Sequence, residues 1–142
     1  MRRVAGGESM SDHAVLERLR AYREHGLPRV QGWFDEESAD VIGLLLAHQL
    51  DLGVRGNVAE IGVHHGKSFL LLANGARDDE QAVAVDVFGD QEKNHDRSGR
   101  GDRTVFEANI AAWAPAAQTH LVQCSSLELA APTARETFGE SA

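Results

Sequence analysis

The sequence predicts an α/β domain built on a parallel sheet, and three observations carry that expectation. Short apolar runs at 57–62 (NVAEIG), 81–88 (QAVAVDVF) and 119–124 (THLVQC) have strand-like composition. Helical patterns fall between consecutive runs, which a parallel sheet with crossover connections requires. The first run leads into glycine-rich chain, and the second carries Asp86 near its end, where open α/β sheets bind ligands.

The elements follow in order. Residues 1–11 read as a disordered leader, because the two arginines of MRRVAGGESM precede no apolar core of a signal peptide. Residues 12–25 place Val15, Leu19 and Tyr22 at helical spacing, with Leu16 widening the stripe. Ser11 or Asp12 is a candidate cap, and Gly26 with Pro28 marks the end. A second helix is expected from Glu36 to about Leu52, capped by Asp35. Its apolar face is drawn from Val41, Ile42, Leu44, Leu45, Leu46 and Leu50. The intervening VQGWF reads as a loop whose aromatics either pack on the core edge or cover a ligand. These helices form a leading unit, 12–55, and the sheet region follows over 56–142.

After the first strand, 65–76 looks helical and mostly buried, since Phe69, Leu70, Leu71 and Leu72 leave little polar surface. The polar stretch 89–101 is expected to be a solvated loop or a lid. Asp102 can cap a further helix to about Trp113, which Pro115 ends. Ser125 or Ser126 can open another helix after the third strand.

The composition bounds the function. Fourteen Lys and Arg against twenty-two Asp and Glu leave a formal net charge of −8, which argues against a nucleic-acid partner. Arg97, Arg100 and Arg103 form one local basic cluster within that acidic chain. Cys124 is the single cysteine, so the chain has no internal disulfide and no cysteine-based zinc site. That fits a cytoplasmic location. No apolar run approaches the roughly 20 residues of a membrane span, so no membrane partner is expected.

The segment 60–68, EIGVHHGKS, is the most informative. It stands where a strand turns into a helix. Gly62 permits a tight turn close to a ligand, and Gly66 lets the helix start approach the strand. The spacing is G-x-x-x-G rather than the G-x-G-x-x-G of dinucleotide enzymes. Glu60 would repel a pyrophosphate but attract an ammonium group. The helix start, with Lys67 and Ser68, can receive a carboxylate. Asp86, 26 residues after Glu60, can accept ribose hydroxyls, with Val87 and Phe88 beside a base. Ser125 and Ser126 can bond the edge of that base or cap a helix, and both roles can hold together. His64 and His65, adjacent on a turn, make a poor chelating pair. They either pack the loop or touch ligand. Asp90, His95, Asp96 and Asp102 could group around a cation, although a solvated loop or a substrate lid explains them better.

Taken in order, VAEIGVHHGKSFLLLA, AVAVDVFGDQEKNHDRSGRGD and HLVQCSS resemble the class I S-adenosylmethionine (SAM)-dependent methyltransferases, within them the macrocin O-methyltransferase-like small-molecule family of bacteria. The resemblance covers about residues 30–142. It implies a Rossmann-like fold of which this chain holds the N-terminal half: two leading helices, then about three parallel strands with helices. It also implies SAM as cofactor. Glu60, Gly62, His65, Gly66 and Ser68 would surround its methionine part, with Asp86 at the ribose, and Val87 and Ser125 or Ser126 near the adenine. The partner would be a small-molecule or glycan-type hydroxyl acceptor.

In this family the fourth strand carries an Asp-Gly-x-His type segment supplying metal ligands or a base. No such segment follows Cys124, so any divalent metal would be held by residues outside this chain, and no catalytic residue is assigned. The exposed sheet edge and leading helices leave a homo-oligomer open. Other readings are a hydroxylase-type relative or a non-catalytic module on the same fold. A nicotinamide-dependent oxidoreductase is disfavoured by the glycine spacing and Glu60.

Overall fold

The computed structural model describes residues 10–94 and 99–129. The expected leader falls outside this range as far as residue 9, as do His95, Asp96 and Arg97. The described chain runs α1 (Met10–Ala21), α2 (Glu36–Asp51), β1 (Val58–Ile61), α3 (Phe69–Gly75), β2 (Gln81–Asp86), α4 (Arg103–Trp113) and β3 (Gln118–Gln123). The strands form one open parallel sheet in the order β1-β2-β3. The predicted α/β class and the three parallel strands are therefore present, in an arrangement compatible with a Rossmann-like half-fold.

Helix α1 starts at Met10, so Asp12 lies within its first turn instead of capping it, and accepts from Arg77 Nε at 2.8 Å. The helix continues through a wide turn, Tyr22–Gly26, and a tight one, Leu27–Arg29. Val15, Leu19 and Tyr22 are buried, as their spacing predicted.

Asp35 caps α2, accepting from Ser38 N at 2.7 Å, and this bond holds its carboxyl below the usual range. The apolar face of α2 is narrower than the sequence suggested. Ala39, Leu46 and Leu50 are buried and Ile42 packs against them, whereas Val41, Leu44 and Leu45 are exposed. The covered positions are a single stripe at helical spacing, and the other leucines lie round the cylinder from it.

Helix α3 is shorter than expected because residues 62–68 are spent on the turn after β1. It is buried nearly all round and contacts α1, α2, β1 and β2, so it is the hub of the core. Asn74, buried within it, donates to Leu70 O at 2.8 Å and Trp113 O at 2.9 Å, tying α3 to the end of α4. Asp102 caps α4 through the amides of Thr104 and Val105. Phe106 of α4 packs between Phe69 and Phe88, with ring centroids 5.5 and 5.6 Å away. After β3 the described chain makes a short 3-10 turn, Ser126–Glu128, where a further helix was expected to open. Among the described residues no helix is long and apolar enough to cross a membrane.

Candidate functional site

Parallel strands deliver their ends to one edge of the sheet, and here those ends surround a cleft of about 630 Å³. Gly62 follows β1, Asp86 ends β2 with Val87 after it, and Ser125 and Ser126 follow β3; all five line the cleft. These belong to the residues the sequence singled out, brought together from three separate strands.

The turn after β1 is held by its own backbone. Gly62 N donates to Val85 O at 2.8 Å, continuing the ladder one residue past the strand. Gly62 and Gly66 have φ of 85° and 90°, in the left-handed region that favours glycine. A Cβ on Gly66 would meet the Phe106 ring at 3.1 Å, so this position also needs glycine for packing.

Asp86 does more than face the cleft. Its Oδ2 accepts from His64 N at 2.8 Å and its Oδ1 from Phe88 N at 2.7 Å. A carboxylate at a strand end is thus explained in part by the turns it braces. Ionised, it offers about four acceptor positions, so two amides leave capacity for a ligand's hydroxyls.

Glu60, His65, Gly66 and Ser68 stand outside the cleft wall, in the layer that supports it. Ser68 Oγ donates to Glu60 Oε1 at 2.6 Å, a pairing that neither residue announces in the sequence. Glu60 Oε2 is buried and has no hydrogen-bond partner among the described residues. Burial pushes the Glu60 carboxyl up; the Ser68 hydroxyl opposes this, and the Asp86 charge adds to it. Lys67 is turned away from the helix start, its Nζ donating to Gly32 O at 3.4 Å.

The two histidine rings lie against each other at a tilt, centroids 3.8 Å apart, and His64 also lies 5.1 Å from the Trp33 ring. His64 lines the cleft; His65 is buried, with both ring nitrogens unpartnered among the described residues. Burial, then the neighbouring His65, lowers the His64 pKa, while Asp86 and a hydrogen bond to the Gln31 backbone oppose the shift. The shift favours the neutral form of this ring.

On the β3 side, Ser125 caps the turn that follows it. Its Oγ accepts from Leu127 N at 3.3 Å, and its own N–H donates to Glu128 Oε2 at 2.9 Å. Lys93 reaches the same Glu128, 3.1 Å from Oε1, and joins the chain after β2 to the turn after β3. The Cys124 thiol is pushed up by burial, which makes it a poor nucleophile.

The sequence reading missed Ile61, Lys93, Asn94, Gly99 and Gly101 as lining residues. Ile61 had a signal, since it ends the run that carries the glycine turn. Lys93 and Asn94 lie in the 89–101 stretch, where polarity alone does not say which side chains turn inward. Among the described residues no group of three or more His, Cys, Asp or Glu side chains could hold a metal ion.

No family model, curated protein or solved structure matches the chain.

Proposed function

We propose that this chain is the cofactor-binding part of a SAM-dependent methyltransferase of the class I, macrocin O-methyltransferase-like kind, directed at a hydroxyl of a small-molecule acceptor. The observation that carries the reading is convergence: Gly62, Asp86 and Ser125, each from the end of a different parallel strand, line one cleft. Its size falls within the roughly 300–1,000 Å³ usual for small-molecule and cofactor pockets.

The residues fit such a cofactor at both ends. Asp86 has acceptor capacity left for ribose hydroxyls, and Ser125 and Ser126 flank the place of an adenine beside Val87. The orphaned, buried Glu60 Oε2 is an acceptor suited to a cation. Because Glu60 stands outside the wall, it would act on a methionine ammonium by charge across the turn. Gly62, without a side chain, lets the ligand approach the backbone there. SAM, when bound, supplies an electrophilic methyl group for in-line transfer to an acceptor oxygen. A cytoplasmic setting goes with this reading.

Calorimetric titration with S-adenosylhomocysteine, with NAD as control, tests it. Saturable binding of the first and none of the second is expected, weakened at least tenfold by Asp86→Asn. A folded protein that binds NAD instead, or neither compound, overturns the reading.

A further inference from the structure

The cleft has two unlike sides. Toward β2 and β3 its polar groups already have partners: Asp86 holds two backbone amides, Lys93 pairs with Glu128, and Ser125 caps the turn after β3. Toward β1 it is lined by Trp33, Ile61, Gly62 and His64. Trp33 is 81% exposed and Ile61 58%, so two large apolar side chains stand in water at the mouth of the cleft.

Trp33 is also held in place. The chain before it is fastened at Gly32, whose carbonyl accepts from Lys67 Nζ at 3.4 Å and whose Cα lies so close to Lys67 that an added Cβ would meet Lys67 Cβ at 3.0 Å. The Lys67 carbonyl in turn accepts from Tyr22 OH at 2.6 Å. The indole therefore leans on His64, 5.1 Å away, while most of its surface is free.

We propose that Trp33, with Ile61 and His64, forms the acceptor platform of the cleft, and that it takes a planar, hydroxyl-bearing aromatic ring. This deepens the methyltransferase reading and rests on it. A flat ring stacks on an indole with a favourable offset or edge-to-face geometry and covers apolar surface on both partners. A neutral imidazole beside it adds a third unsaturated ring without the cost of burying a charge. A sugar ring also stacks on tryptophan, but its hydroxyls need bracketing polar side chains, and among the described residues lining the β1 side these are limited to the His64 ring.

The test is calorimetric titration of the S-adenosylhomocysteine-saturated protein with 7-hydroxycoumarin, and separately with methyl α-glucopyranoside. The coumarin is expected to bind saturably at one site. Trp33→Ala should weaken it at least tenfold and Trp33→Phe should restore most of the affinity. Coumarin binding that is absent, or equal in Trp33→Ala and parent, overturns the platform. So does a glucoside that binds and is lost in Trp33→Ala. The S-adenosylhomocysteine titration of the parent separates the two readings. A chain that binds it but not the coumarin fails the platform alone, and a chain that binds neither fails the cofactor reading and the platform with it.

Discussion

Asp86 Oδ2 accepts the backbone N–H of His64 at 2.8 Å, and His64 has φ of 52°. The other oxygen of Asp86 holds the amide of Phe88, whose φ is 47°. These are the two non-glycine residues with positive φ among the described residues, so one carboxylate secures both left-handed positions. A histidine and a phenylalanine pay about 1–3 kcal/mol each for such a conformation, and a hydrogen bond to a charged acceptor returns roughly 1.5–3 kcal/mol.

The first prediction follows from that balance. Asp86→Ala should lower unfolding stability by about 3 kcal/mol in a urea titration, and Asp86→Asn by about half as much, because an amide oxygen still accepts one of the two bonds. Cofactor affinity is best compared between parent and Asp86→Asn, whose fold is less perturbed. An unchanged urea midpoint in Asp86→Ala would remove the bracing role.

Glu60 gives the second prediction. Its folded pKa is raised above the ordinary 4.5, chiefly by burial. Between the unfolded and folded values the folded protein binds the proton more tightly, so the penalty for ionised Glu60 is absent well below pH 4.5. It grows as pH rises and is fully present above the folded pKa. Glu60→Gln keeps an acceptor for Ser68 and removes that penalty. The variant should melt about 3 °C higher than parent at pH 7.5, with the difference vanishing near pH 4. If the cofactor reading holds, the same variant binds S-adenosylhomocysteine more weakly at pH 7.5. Equal melting of both proteins at pH 7.5 would contradict the assignment of the shift to burial.

The two turn glycines separate backbone from packing. A Cβ on Gly62 meets nothing within 4 Å, so Gly62→Ala costs only the left-handed conformation, about 1–2 kcal/mol. Gly66→Ala adds the collision with Phe106, a further 1–3 kcal/mol or so. Urea titration should therefore rank Gly66→Ala well below Gly62→Ala in stability. The order reverses for the ligand, because Gly62 lines the cleft and Gly66 does not. A folded Gly62→Ala protein is expected to lose more affinity for S-adenosylhomocysteine than a folded Gly66→Ala protein.

Much of this was legible in the sequence because the signals are local. Asp35 and Asp102 each stand before a helical pattern, and each accepts from amides two or three residues on. Asp86 was legible as a strand-end carboxylate, since an acid in an apolar run asks for a reason. Its amide partners were not, because His64 is 22 residues away and meets it only once β1 and β2 pair in register. Ser68 was legible as a helix-start hydroxyl, yet its partner is Glu60 rather than the helix backbone. The start of the helix moved from 65 to Phe69 because the two left-handed glycines spend those residues on the turn. On α2, periodicity names the apolar positions but not how many the core can cover, and Leu44 and Leu45 are left exposed.

Arg77 carries the last prediction, and nothing in the local sequence marks it. Its side chain is 6% exposed and gathers distant partners: Nε donates to Asp12 at 2.8 Å, Nη1 to Val54 O at 2.7 Å, and Glu80 Oε1 lies 3.4 Å from Nη1. Glu80 is buried too, and its Oε2 accepts the Arg77 backbone N–H at 2.8 Å. One guanidinium thus ties α1, the chain after α2 and the approach to β2 at the end of the sheet opposite the cleft. Arg77→Met keeps most of the volume and removes the cation that the buried Glu80 faces, a loss of about 3–5 kcal/mol when one partner of a buried pair is deleted. Arg77→Lys keeps the charge but cannot span Asp12 and Val54 together, so it should fall between Met and parent. Urea midpoints in the order parent, Lys, Met are expected. A Met variant as stable as parent would show that the network contributes position without net stability.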